Sequence, residues 1–132
     1  MFSIRDNMNA KSNNGALLEI RDLNVEFNLK AGILPAVKDV SFSLQESETL
    51  GIVGETGSGK SVTAFSILRL IPSPPGEIVG GEILFEGEDL LKKTEHEMQK
   101  IRGRKISMVF QEPMTSLNPS FTVGQQISEC FR

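Results

Sequence analysis

Tryptophan and tyrosine are absent from these 132 residues, and cysteine and histidine each occur once. Any stacking ring must therefore be one of the eight phenylalanines. A single cysteine, Cys130, rules out an internal disulfide and fits a reducing compartment. It lies in an expected helix without a partner, which reads as a packed thiol rather than a nucleophile. His96 has no second histidine or cysteine beside it and so offers no metal-ligand set. No apolar run approaches the ~18–20 residues needed to span a bilayer. Basic charge is not in excess: 14 Lys and Arg face 17 Asp and Glu, for a net charge of −3. These cations are scattered, which argues against a nucleic-acid partner.

The length allows one domain at most. Residues 1–15 are polar and asparagine-rich and lack the apolar centre of a signal peptide. Residues 1–16 are therefore expected to be a disordered tail, and residues 17–132 the domain. A cytoplasmic protein able to dock on a membrane protein is the expectation.

Three short stretches alternate apolar and polar residues: 18–20, 23–27 and 40–44, the last after a turn-like segment at 30–35. Period two with polar partners predicts half-buried antiparallel strands. Residues 49–53 are apolar on both faces, as a central parallel strand is, and residues 106–110 read as a later strand. Between them, residues 60–71 are apolar almost all round and predict a buried helix, ended by the prolines at 72–75. Residues 82–85 read as a short strand before a turn at Gly87. Thr94 and Glu97 have capping-box spacing, predicting a helix to about Arg102 with His96 exposed in its first turn. Thr122 and Gln125 open a second capped helix, with Val123, Ile127 and Phe131 on one face. That helix meets the end of the chain uncapped, which reads as a cut.

Residues 54–61 read GETGSGKS, a full match to G-x-x-x-x-G-K-[ST] between an apolar strand and a buried helix. Gly54, Gly57 and Gly59 let the backbone curl so that successive N–H groups face inward as a nest for phosphate. Lys60 extends a point charge to the β- and γ-phosphates, and the Ser61 hydroxyl is a hard oxygen ligand for Mg²⁺. Glu55, Thr56 and Ser58 fill the free positions, and the pattern asks nothing of their side chains. With Val62 at the helix start, residues 54–62 form the expected nucleotide-binding set. The alternative, a flexible glycine turn, does not explain the strand and helix on either side. The loop alone does not separate a kinase, a GTPase and a transport ATPase.

Residues 106–119, ISMVFQEPMTSLNP, supply the discrimination. Three apolar residues stop at Gln111, and a polar loop with Pro113 and Pro119 follows. Together with GETGSGKS, this segment resembles the nucleotide-binding subunits of ABC transporters over residues 17–132. It is most similar to the oligopeptide/dipeptide importer branch, which also includes glutathione and nickel importers. The resemblance implies an α/β P-loop NTPase fold with an antiparallel β subdomain, truncated before the family's signature motif. It implies ATP and Mg²⁺ as ligands. Gln111 would be the Q-loop glutamine, a ligand of Mg²⁺ or an orienter of the attacking water, and Lys60 and Gln111 the catalytic pair. A neutral amide can engage and release a metal and a water with less electrostatic penalty than a carboxylate. The residues by themselves also allow a strand-end glutamine bonded to backbone. Phe27 matches the family's adenine-stacking aromatic, or is a core-facing ring at the end of an alternating strand.

The resemblance further implies membrane permease subunits and a second ATP-binding subunit as partners, with a solute-binding protein involved indirectly. The site of action would be peripheral, on the cytoplasmic face of the cell membrane, powering import of peptides or a related small solute. The signature sequence, the catalytic glutamate and the switch histidine of the family do not occur in residues 1–132, so these residues alone are expected not to hydrolyse ATP. Residues 112–120 are expected to touch a membrane subunit, with Met114 and Leu117 as apolar contacts unless they fold back on their own domain. A P-loop kinase or GTPase, and a nucleotide-binding fragment without turnover, are the competing readings.

Overall fold

The computed structural model describes residues 15–111 and 117–129. The expected tail residues 1–14, the loop residues 112–116 with Met114, and Cys130 and Phe131 lie outside the described residues.

The alternating pattern of the first two stretches changes phase: Leu18 and Ile20 are even, whereas Leu23, Val25 and Phe27 are odd. A regular strand would place these two sets on opposite faces. The chain instead forms one continuous strand, β1 (Ala16–Leu29), beginning at the last residue of the expected tail. Its register slips between Ile20 and Leu23, where Asp22 adopts φ 45°. The extra residue returns the odd set to the core face, so Ile20, Leu23 and Val25 are all buried. The antiparallel partner β2 (Gly32–Gln45) repeats the device at Asp39, φ 48°, which buries both Val37 and Val40. The two bulges brace each other. Asp22 N–H donates to Ser41 Oγ at 2.7 Å, and Asp39 N–H donates to Asn24 Oδ1 at 3.2 Å. The turn-like segment expected at 30–35 shrinks to Lys30 and Ala31, because residues 32–35 pair with β1.

The helix α1 (Lys60–Ile67) is shorter than the apolar run that predicts it. It stops at Ile67, five residues before Pro72. Arg69 turns to φ 52°, Leu70 N–H donates to Phe65 O at 2.9 Å, and Arg69 N–H donates to Ser66 O at 3.0 Å. That bond pair is a Schellman termination, with arginine where glycine is usual. Beyond it, β3 (Gly76–Phe85) pairs with the free edge of β1, from Phe27 opposite Gly76 to Leu18 opposite Phe85. A turn with both Glu86 and Gly87 at positive φ leads to β4 (Glu88–Asp89). The sheet order is β2-β1-β3-β4, all antiparallel.

Asp89 caps a 3-10 turn, Leu90–Lys92, and α2 (Glu95–Ile101) follows with the expected capping box. Thr94 N–H and hydroxyl both donate to Glu97 Oε2 at 2.7 Å, which holds that carboxyl below its usual pKa. Leu90, Met98 and Ile101 from these elements are buried against the apolar face of the sheet. Arg102, at the end of α2, ties the two helices together. Its Nε donates to Leu68 O at 2.7 Å and its Nη2 to Arg69 O at 3.4 Å, carbonyls that the Schellman bonds leave open. Arg102→Met is accordingly expected to lower unfolding stability by ~1–3 kcal/mol, the worth of charge-assisted bonds to half-buried carbonyls. Chemical denaturation of the intact protein measures it, and a loss below about 0.5 kcal/mol would show that water replaces the guanidinium.

Residues 49–53 and 106–110 are not strands, contrary to their pattern. Val53 is 87% exposed and Val109 98% exposed. Apart from an isolated bridge between Arg102 and Ile106, no described segment offers them a ladder. An apolar run becomes a parallel strand only when neighbours accept its backbone groups. The last helix, α3 (Val123–Glu129), has its Thr122–Gln125 capping box but buries no residue, with Val123 and Ile127 both exposed.

Candidate functional site

The site begins where β2 supports the phosphate loop. Gly59 is the N-cap of α1, at φ 90° and ψ 2°, with no side-chain cap. A Cβ built there would lie 2.4 Å from Ala36 O and 3.3 Å from Val37 Cγ2, so the loop rests directly on the β2 backbone. Gly57, at φ 81°, makes the other left-handed step, and a Cβ there would meet open space.

The Lys60 ammonium folds back into the loop. It donates to Gly54 O and Glu55 O, each at 2.7 Å, and to Ser58 Oγ at 3.3 Å. All three donors are used. Gly54 and Glu55 therefore contribute carbonyl oxygens, and Ser58 contributes a hydroxyl that the sequence pattern did not call for. No carboxylate pairs with Lys60 among the described residues, so its charge is held by dipoles rather than cancelled. The first-turn amides of Lys60, Ser61 and Val62 have no intrahelical acceptor, and the positive end of the helix dipole adds to them. Ser61 and Thr56 are exposed, and Val62 is half-buried against the core. An ammonium, unpaired amides and an exposed hydroxyl in one short loop fit a polyphosphate with a divalent cation. These donors do not fit a cationic or apolar ligand.

Gln111 is exposed at a bend that follows the irregular residues 107–110. The segment is held to α1 by a ring contact: the Phe110 and Phe65 centroids lie 6.1 Å apart at 35°. That places the Gln111 segment against the helix whose N-terminus carries the loop. Phe27 is half-buried against the core, and its Cε1 would lie 3.0 Å from a Cβ on Gly76. This is the packing of a core-facing ring. Beyond the undescribed residues, Leu117 is 50% exposed, and Gln126 Nε2 on α3 donates to Asn118 O and Phe121 O at 3.0 Å.

Sequence reasoning missed Thr63, Ala36 and Phe65. Thr63 is 5% exposed, and its hydroxyl donates to Gly59 O at 3.0 Å. Its position four residues after a loop glycine is a signal that could have been read. Ala36 acts through its backbone, which leaves no mark in the residue type.

A family model described as ABC transporter matches residues 37–130. The chain is 56% identical over 113 residues to the oligopeptide transport ATP-binding protein OppD of Bacillus subtilis (strain 168), covering 86% of this chain and 32% of that protein. It is 50% identical over 114 residues to OppD of Escherichia coli (strain K12), with 86% and 33% covered. It is also 50% identical over 113 residues to the dipeptide transport ATP-binding protein DppD of Lactococcus lactis subsp. cremoris (strain MG1363), with 86% and 32% covered. The chain thus spans about a third of the length of the curated relatives it matches.

Proposed function

This chain belongs to the ABC transporter family, and from that premise we propose that it is the nucleotide-binding part of a subunit that hydrolyses ATP to drive import of peptides or a related small solute. The observation that carries the proposal is the Lys60 ammonium, held on Gly54 O, Glu55 O and Ser58 Oγ at the open N-terminus of α1. Residues 54–62 take the triphosphate. Lys60 exchanges its loop carbonyls for phosphate oxygens, and the amides at the start of α1 face the β-phosphate. Ser61, with Gln111, would hold Mg²⁺, which would supply charge neutralisation of the phosphates. The alternative role for the Gln111 amide is to orient the attacking water. Phe27 is the contact that packing favours least, because its ring is already engaged with Gly76 and the core.

The transport class rests on the printed names of the relatives, which are oligopeptide and dipeptide transport ATP-binding proteins. With it come membrane permease subunits, a second ATP-binding subunit and, indirectly, a solute-binding protein. The same reading puts the subunit peripheral to the membrane on its cytoplasmic side; no helix among the described residues is long and apolar enough to cross a membrane. The test is ATP hydrolysis by the intact subunit assembled with its permease, with and without peptide-loaded binding protein. Stimulation by peptide supports the reading, whereas preference for GTP or phosphoryl transfer to a small acceptor overturns it.

Gln111→Ala separates the catalytic from the structural role of that residue. Turnover is expected to fall about tenfold or more, with ATP affinity changed less than about threefold, because the loop holds the ground state. Equal losses in both would assign Gln111 to holding the segment at 107–110 instead.

A further inference from the structure

The Gly59 peptide is held from two directions, and neither hold belongs to the phosphate-loop pattern. Its carbonyl accepts from Thr63 N–H at 2.8 Å and from the Thr63 hydroxyl at 3.0 Å. Its α-carbon lies against Ala36 O of β2, where a Cβ would stand 2.4 Å away. A trans peptide is planar, with its C=O and the next N–H antiparallel. Fixing the Gly59 oxygen along the helix axis toward Thr63 therefore fixes the Lys60 N–H in the opposite direction, out of the helix end and into the loop mouth. Ala36 O prevents the same peptide from tilting sideways to relieve a mismatch.

We infer that Thr63 is a positioning residue for nucleotide binding: its buried hydroxyl, working against the Ala36 carbonyl, holds the Gly59–Lys60 peptide in the orientation that presents the Lys60 amide to phosphate. The inference rests on the reading of residues 54–62 as the nucleotide site. Threonine and serine often bond back to the carbonyl four residues earlier with no functional consequence. This helix contains that case as its own control. Ser66 is fully buried and donates to Val62 O at 2.7 Å, one turn further on, in a peptide whose N–H is that of Thr63 and is already bonded within the helix.

The experiment uses the intact subunit, with ATP plus Mg²⁺ as the titrant in calorimetry and thermal unfolding run alongside. Thr63→Val keeps the β-branch, and Gly59 O keeps the bond from the backbone N–H of that position, so the helix turn is retained while the hydroxyl bond is lost. Thr63→Val is expected to weaken ATP binding about fivefold or more, with the unfolding temperature unchanged within a few degrees. Thr63→Ser restores the hydroxyl and should return affinity to within about twofold of the parent. Ser66→Ala should leave affinity within about twofold whatever it does to stability. Affinity equal to the parent in Thr63→Val, no recovery in Thr63→Ser, or equal weakening by Ser66→Ala each overturns the inference. Should Thr63→Val not fold, Thr63→Ala read against Ser66→Ala gives the same decision. A parent protein that fails to bind ATP overturns instead the reading on which the inference stands.

Discussion

Lys60→Ala in the intact subunit is expected to cut ATP turnover by roughly 30- to 1000-fold, which is ~2–4 kcal/mol at the transition state. The ammonium is already placed inside the loop, on two carbonyls at 2.7 Å. Little reorganisation is therefore needed when phosphate oxygens replace them, and a preorganised charge is worth most where the transition state gathers negative charge. Removing it also leaves Gly54 O and Glu55 O facing the phosphates, so the loop changes from attractive to repulsive along that wall. Steady-state hydrolysis with the permease assembled measures the effect. Turnover equal to the parent would remove Lys60 from the mechanism.

Gly59→Ala is expected to cost ~2–5 kcal/mol, shared between stability and nucleotide affinity. Two causes act together. Alanine at φ 90° is strained, and its Cβ would stand 2.4 Å from Ala36 O, a backbone atom in a paired strand that cannot swing aside. Lifting the loop off β2 relieves the overlap but breaks the alignment of Thr63, Gly59 and the Lys60 amide. Gly57→Ala isolates the conformational part, because the residue sits at φ 81° with open space around its absent side chain. The comparison is made by chemical denaturation and ATP titration of both variants. If Gly59→Ala costs no more than Gly57→Ala, the close approach to β2 has no energetic weight.

The devices legible in the sequence are those whose hydrogen bonds close within a few residues. GETGSGKS specifies a loop because its backbone turns back on its own helix, and Lys60 finds Gly54 and Glu55 only six and five residues away. The capping boxes at Thr94 and Thr122 were readable for the same reason, both bonds lying within three residues. Alternation revealed the strands of the hairpin, and the change of phase at Asp22 was present in the sequence. Its meaning was not. A phase change can mark a strand break or a bulge, and only pairing with β2 and β3 on both sides made it a bulge in one long strand.

What the residues determined by themselves, then, is the chemistry: an ammonium, backbone amides freed by glycines and a hydroxyl brought together by a contiguous stretch of chain. Tertiary structure decided how that chemistry is held and where regular structure stops. Residues 49–53 and 106–110 carry the composition of core strands yet form no ladder, because strand formation depends on the neighbour that accepts its bonds as much as on its own side chains. The end of α1 is closed by Arg102, 34 positions after Leu68, and the phosphate loop is braced by a carbonyl of Ala36 on another strand. A backbone oxygen is the same in every residue type, so the support it gives across the fold appears only when the chain has brought the two segments into contact.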